Sequence, residues 1–274
     1  MNSMSMPRLS IVIVTYNSRG YIDTCLQSLI RTPPAVDHDI IVVDNASTDG
    51  TAAVIRERWP AARVIDAGAN LGFAAANNLG IRQASGELLL LLNPDAIARP
   101  EAIDRLVALL DARQNVAVVG PRIVDGEQRA ELSFGAMISP FAELRQKILV
   151  IGNDNHLPFI SGYVDRLTRR ERPVDWVSGA CLMVRRADAE AVGLMDERYF
   201  MYTEDVDFCA AIRARGRTVL FLPTAEVVHL RGRSASTAPR STEEAYRRSQ
   251  LAFYEKHHPG WVPVLRAYLK LRGL

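Results

Sequence analysis

Along the first 124 residues, short apolar runs alternate with amphipathic stretches. The runs are LSIVIVTYN from Leu9, DIIVVDN from Asp39, ARVIDAG from Ala62, ELLLLLNPD from Glu87 and VAVVGPRI from Val116. Between them, Tyr21 to Ile30, Thr51 to Trp59, Asn70 to Ala84 and Pro100 to Ala112 carry apolar residues at helical spacing. Buried strands alternating with helices of this length predict an α/β fold, a mostly parallel sheet covered by helices on both faces. After Val124 the rhythm loosens, and Asp125 to Pro173 predicts irregular, mobile surface excursions. A second block follows: VDWVSGACLMVRR as a strand with a tight glycine turn, a helix from about Glu204 to Arg215, TVLFLPTAEVVHL as one or two strands, and two helices to the end.

Composition narrows the function classes. With 274 residues, 48% of them hydrophobic, the chain can bury the core of one large folded unit. A net charge of +2 gives no concentrated basic face for general nucleic-acid binding. Cys25, Cys181 and Cys209 are odd in number and lack metal spacing, which suits buried thiols in a reducing compartment. The apolar run before Thr15 is too short for a signal peptide or membrane span, so a cytoplasmic location is expected.

In open parallel sheets, ligands bind beyond the carboxyl ends of the strands. Thr15-Tyr16-Asn17, Asp44-Asn45, Asp66 and Asn93-Pro94-Asp95 stand at four such ends. Each alone is also what turns and caps are made of. Together with WVSGACLMVRR, FMYTEDVDFCAAIRARG and AEVVHLRGRS, in this order, they point to one site.

This set, from about Leu9 to Trp261, resembles the family 2 inverting glycosyltransferases of the GT-A fold, and more narrowly their rhamnosyltransferase-like branch. The resemblance implies a Rossmann-like nucleotide-binding sheet, mostly parallel and mixed in its second half, with C-terminal helices. Residues 1–240 would form the transferase domain, with a nucleotide-binding half at about 8–124 and an acceptor half at about 125–240, and 241–274 a helical extension. The implied activity is transfer of a sugar, with L-rhamnose from dTDP-L-rhamnose favoured, to a saccharide or lipid-linked acceptor hydroxyl in surface-polysaccharide synthesis. A UDP-hexose donor and a non-catalytic nucleotide-sugar binding module are the alternatives. A nucleotidyltransferase should instead show a Gly-rich basic loop after the first strand, where this chain has TYNSRGYI.

Residue by residue, the resemblance assigns the nucleotide to Thr15, Tyr16, Asn17 and Asp44, with Asn70 and Gly72 near ribose and phosphates. Asn93-Pro94-Asp95 matches the family's Asp-x-Asp, with Asn93 in place of the first carboxylate. Asp95 and His229 would hold a divalent ion, Mg²⁺ or Mn²⁺, and Arg231 and Arg233 would neutralise diphosphate. Asp205 is the implied catalytic base, supported by Glu204, and Trp176, Gly179 and Ala180 the implied sugar and acceptor pocket. A helix cap at Thr203 explains the same acidic letters. The basic, amphipathic tail suits an anionic membrane surface bearing a lipid-linked acceptor, or packing onto the sheet domain or another subunit.

Overall fold

The computed structural model describes residues 6–230 and 239–271. The alternation of runs produces β1 (Leu9–Thr15), α1 (Ile22–Ile30), β2 (His38–Asp44), α2 (Thr51–Arg58), β3 (Ala62–Asp66), α3 (Phe73–Gln83) and β4 (Leu88–Leu92). After them come β5 (Ala96–Ala98), α4 (Ala102–Ala112) and β6 (Val116–Val124). The nine-stranded sheet runs β3-β2-β1-β4, all parallel. It continues through β10 (Cys181–Arg185), antiparallel to both β4 and β6, and then β6 to β11 (Thr218–His229), which are parallel. β5 and β8 (Arg172–Val174) pair antiparallel with β11.

Sheet alternation divides the core in two. Leu9, Ile11 and Ile13 of β1 and Leu88, Leu90 and Leu92 of β4 pack on the face that carries α1 and α4. Val12, Val14, Leu89 and Leu91 pack on the face carrying α3 and α8 (Glu204–Ala214). All five leucines of β4 are thus buried, as expected for a central strand covered on both sides.

The prolyl residue Pro94 ends that strand by removing a ladder donor. The chain turns through Asn93 and Asp95, and β5 then pairs Ala96 with His229 at the end of β11. Carbonyl Asp95 O also accepts from the Leu230 amide at 3.0 Å. Two motifs far apart in sequence are thereby zipped together.

The loosened segment 125–173 is not the irregular excursion its sequence suggests. It contains β7 (Phe134–Gly135), which pairs with β9 (Trp176–Val177), and two helices, α5 (Pro140–Asp154) and α6 (Pro158–Leu167). Ser139 caps α5 by accepting from the Ala142 amide, and proline opens each helix. Helix α7 (Arg186–Ala191) follows β10.

The tail forms a long helix, Pro239–His257, and a final one, Val262–Leu271, and its apolar side packs onto the domain. Phe253, Tyr254, Leu265 and Leu269 are buried with Tyr199 and Val206. A polar clamp completes the junction: buried Asp207 of α8 accepts from Lys256 Nζ at 2.8 Å and Tyr199 OH at 3.3 Å, with His257 Nε2 at 2.6 Å. Asp207→Ala should cost about 1–3 kcal/mol, because it leaves Lys256 and His257 half-covered without their anion. A urea titration checks this; an unchanged midpoint would mean that packing alone holds the tail.

Candidate active site

Polar strand ends and the loops between β9 and β10 and before α8 surround a cleft of about 580 Å³. Of the expected residues, Tyr16, Asn70, Gly72, Asn93, Asp95, Gly179, Ala180, Glu204, Asp205 and His229 line it. Thr15, Asn17 and Asp44 do not line the cleft but sit beside its Tyr16 end. Thr15 Oγ1 donates to Asp44 Oδ1 at 3.2 Å, and Asp44 Oδ2 accepts from the Ser47 amide at 3.2 Å. Asn17, at φ 52°, accepts from the Thr48 amide at 2.8 Å and ties the first two strand-end loops together. Tyr16 presents a half-exposed ring above them.

Asn45 does more than turn the chain. Its Nδ2 donates to Asn70 Oδ1 at 2.9 Å, and its Oδ1 accepts from the Leu71 amide at 2.8 Å, which fixes the loop that enters α3. Gly72 closes that loop at φ 83°, and the Phe73 amide donates to Phe200 O at 2.6 Å. Asp66, by contrast, only caps its own turn through the Gly68 amide.

The diphosphate end, as the family pattern assigns it, has a definite electrostatic form. His229 Nε2 lies 3.2 Å from Asp95 Oδ1 and 3.4 Å from Asn93 Nδ2, while its Nδ1 lies 3.6 Å from Glu131 Oε2. Burial opposes a charge on the imidazole, but hydrogen bonds with Asp95 and Glu131 outweigh it and push the pKa up to about 9. Two carboxylates thus call for a positive charge here: the imidazolium supplies it, or a divalent cation would, with the ring then neutral. Among the described residues, no group of three or more His, Cys, Asp or Glu could hold a metal ion alone. Asp95 and His229 fit a hard cation that takes its remaining ligands from substrate phosphate and water. Glu131 would orient the ring from behind, as carboxylates do for metal-bound histidines. Nothing in the sequence around Glu131 signals that role.

The opposite wall carries the acidic pair. Asp205 sits in the first turn of α8, where its Oδ2 accepts from the Gly179 amide at 2.8 Å and its Oδ1 from the Val206 amide at 2.8 Å. Burial raises its pKa above the usual carboxylate range, although these amides oppose the shift. Glu204 is raised well above its ordinary value by burial and by the Asp205 charge, and its Oε2 is buried without a protein hydrogen bond. Such a pair, two adjacent carboxyls whose surroundings resist ionising both, suits proton transfer.

Backbone strain marks the same spot. Tyr202 and Thr203 both adopt left-handed conformations, φ 71° and 64°, directly before the acidic pair. For non-glycine residues this conformation costs energy and is held only by its surroundings. Ser249 Oγ of the long C-terminal helix donates to Met201 O at 2.7 Å, so the tail braces this wall. The Thr203 side chain makes no cap, and its buried Oγ1 has no protein partner, so simple capping does not account for the acidic letters.

One expected residue falls elsewhere. Trp176 does not line the cleft: its ring packs over Gly135 and its Nε1 donates to Ala136 O at 2.9 Å. A cross-strand β7–β9 contact has claimed it. Arg231 and Arg233 lie outside the described residues. The three cysteines are buried, and burial pushes the Cys181 and Cys209 thiols up to about 12, which keeps them unreactive.

A mostly parallel sheet with a mixed second half thus carries one cleft lined by Asp95 and His229 and by the acidic pair Glu204 and Asp205. The model of glycosyl transferase family 2 matches residues 10–193, and the chain belongs to that family. It is 33% identical, over 97% of its length and 91% of the relative's, to the N-acetylglucosaminyl-diphospho-decaprenol L-rhamnosyltransferase of Mycobacterium tuberculosis. It is also 24% identical, over 80% of its length and 82% of the relative's, to the rhamnosyltransferase WbbL of Escherichia coli. In fold it is similar to a mannosyltransferase of Pyrobaculum calidifontis solved with GDP-mannose and Mn²⁺, with TM-score 0.62, 19% identity, and 97% and 70% of the two chains covered.

Proposed function

We propose that this chain transfers an L-rhamnosyl group from a dTDP donor to a hydroxyl of a lipid-linked saccharide during surface-polysaccharide synthesis, by one displacement with inversion. The observation that carries this reading is the half-buried Asp205 lining one cleft with the Asp95–His229 pair. The sugar and lipid come from the relatives' names, an L-rhamnosyltransferase acting on a diphospho-decaprenol and a second rhamnosyltransferase.

In this mechanism Tyr16 stacks on the base, and the loops set by Thr15, Asn17, Asp44 and Asn70 hold it. Gly72 lets the backbone approach the ribose and phosphates. Asp95 and His229 hold Mg²⁺ or Mn²⁺, which when bound supplies electrostatic stabilisation of the leaving diphosphate. Asn93 assists as a neutral donor, and Arg231 and Arg233 complete the charge balance. Asp205 accepts the acceptor hydroxyl proton as the oxygen attacks the anomeric carbon from the face opposite the diphosphate. Glu204 donates to or orients the acceptor, and Gly179 and Ala180 leave room for it. No second carboxylate is assigned beneath the sugar, so a covalent intermediate is not part of the reading.

A lipid-linked acceptor places the enzyme on the cytoplasmic face of the membrane. None of the described helices is long and apolar enough to cross it, so contact would be peripheral. The tail's exposed Trp261, Val264 and Tyr268 suit such contact.

A thermal-shift panel of nucleotide sugars with Mg²⁺ or Mn²⁺ tests the reading. At a hundredfold excess over Kd, a ligand of the native state adds about 2.7 kcal/mol, a rise of roughly 5 °C or more for a chain of this size. The dTDP-L-rhamnose arm should give the largest rise. A larger response to a UDP-hexose would favour that donor, and no response to any nucleotide sugar would sink the proposal.

A further inference from the structure

Helix α5 is built inside out. Its polar residues Glu143, Gln146 and Asn153 face the protein: Glu143 accepts from Tyr246 OH and Tyr254 OH at 3.1 Å each, Gln146 donates to Phe134 O at 3.4 Å, and Asn153 to Ala130 O at 3.0 Å. Its large apolar residues Phe141, Leu144, Ile148 and Ile151, at spacings of three and four, form one stripe and are 79%, 58%, 55% and 60% exposed. The stripe continues onto the hairpin tip, where Leu157 and Phe159 stand 50% and 94% exposed at a place where loops are ordinarily polar. A contiguous exposed apolar surface of this kind marks an interaction site.

Charge says what covers it. Arg145 and Lys147 flank the stripe on α5, Lys147 lying 3.2 Å from Glu143, and Arg166 and Arg170 stand at and just beyond the end of α6, where Arg169 is paired with Asp165 at 2.8 Å. The one acid inside α5 before its last residue, Glu143, is turned inward among the tyrosines. An apolar stripe edged by cations fits the boundary between anionic headgroups and acyl chains, whereas two copies meeting through it would bring their arginines together. Helix α5 is also linked to the cleft through intermediary residues near each of its ends. Tyr246, bonded to Glu143, packs edge-on against Tyr202 of the cleft at 5.9 Å, and Ala130, bonded to Asn153, adjoins Glu131 behind His229.

We infer that the α5–α6 hairpin is the surface by which this protein docks on an anionic lipid bilayer, with Phe141, Ile148 and Phe159 entering the acyl boundary and Arg145, Arg166 and Arg170 engaging headgroups. The inference rests on the proposed lipid-linked acceptor only for its purpose, since the surface itself is read from the chain. Docked this way, α5 would hold the cleft close to the membrane that carries a lipid-linked acceptor.

Flotation with phosphatidylcholine vesicles, with and without phosphatidylglycerol, tests the inference on the full chain. The native protein should float with the anionic vesicles. The triple variant Phe141→Gln, Ile148→Gln, Phe159→Gln should bind at least about 100-fold more weakly, at roughly tenfold per large side chain. Arg145→Glu with Arg170→Glu should abolish the preference for anionic lipid. Both variants replace exposed side chains and should melt as the native chain does. Flotation equal to native in the triple variant, or no flotation of the native chain, would overturn the inference. So would light scattering that shows a native dimer made monomeric by the triple variant. Loss of nucleotide-sugar binding with flotation intact would instead remove the proposed activity and leave the docking surface standing.

Discussion

Asp205→Asn is expected to lower glycosyl transfer by about 10²–10⁴-fold, leave donor binding unchanged and raise the melting temperature at neutral pH. The first effect follows from removing the proton acceptor at the cleft wall, since an amide has one oxygen to keep one of the two bonds from the Gly179 and Val206 amides and takes no proton. The stability effect follows from the pKa direction. Burial raises the folded-state pKa, so between the ordinary carboxylate value and the raised one the native state binds more protons than the unfolded chain. Stability therefore falls as pH rises through that window, and asparagine removes the loss. At pH below the ordinary carboxylate value the native and variant melting points should converge. The acid limb of kcat/KM should, for the same reason, lie above the usual carboxylate range. Turnover at the native level in Asp205→Asn would refute the base assignment; a lowered melting point at neutral pH would refute the cost of its charge.

Gly72→Ala is the second large effect, this time on structure. Gly72 sits at φ 83°, and a Cβ there would stand 2.4 Å from Phe200 O, a backbone atom that accepts the Phe73 amide bond and cannot swing away. Left-handed strain plus the displacement should cost about 2–4 kcal/mol. Because Phe200 leads into the strained Tyr202–Thr203 pair, the same push would misplace Asp205, so activity should fall along with stability. Gly68→Ala is the control: its φ is also positive, at 72°, but nothing lies within 4 Å of the added carbon, so it should cost only about 1 kcal/mol. Equal midpoints for the two variants in a denaturant titration would mean that the contact with Phe200 is unimportant.

The strand ends were legible because a buried run stops abruptly at a polar letter. LLLLL followed by Asn93-Pro94-Asp95 announces both the central strand and the place where its end is exposed. The presence of Asp205 in the cleft was legible through its motif. Glu131 was not, because its role depends on β11 and β6 lying side by side, which no local pattern encodes. The Phe200–Thr203 wall was hidden likewise, since aromatic letters there read as core. Trp176 was assigned to the pocket by its motif, but pairing of β7 with β9 gave its ring a protein partner first. In 125–173 the start signals Ser139-Pro140 and Leu157-Pro158 and an apolar stripe at helical spacing were all present. They went unread because a stripe is taken to mean burial, and here the polar side is the one that faces the domain.

The pairing of β5 with β11 also has a consequence for how the site comes into being. Asn93 and His229 are separated by 136 positions, and only the last strand of the sheet brings them within 3.4 Å. During synthesis, the loops that would cradle the base can form long before the ribosome has released residue 229. The place assigned to the diphosphate cannot, because a contact of that sequence separation waits for the final strand to close. A partly made chain would therefore present one end of the cleft without the other, which arrives with the last strand.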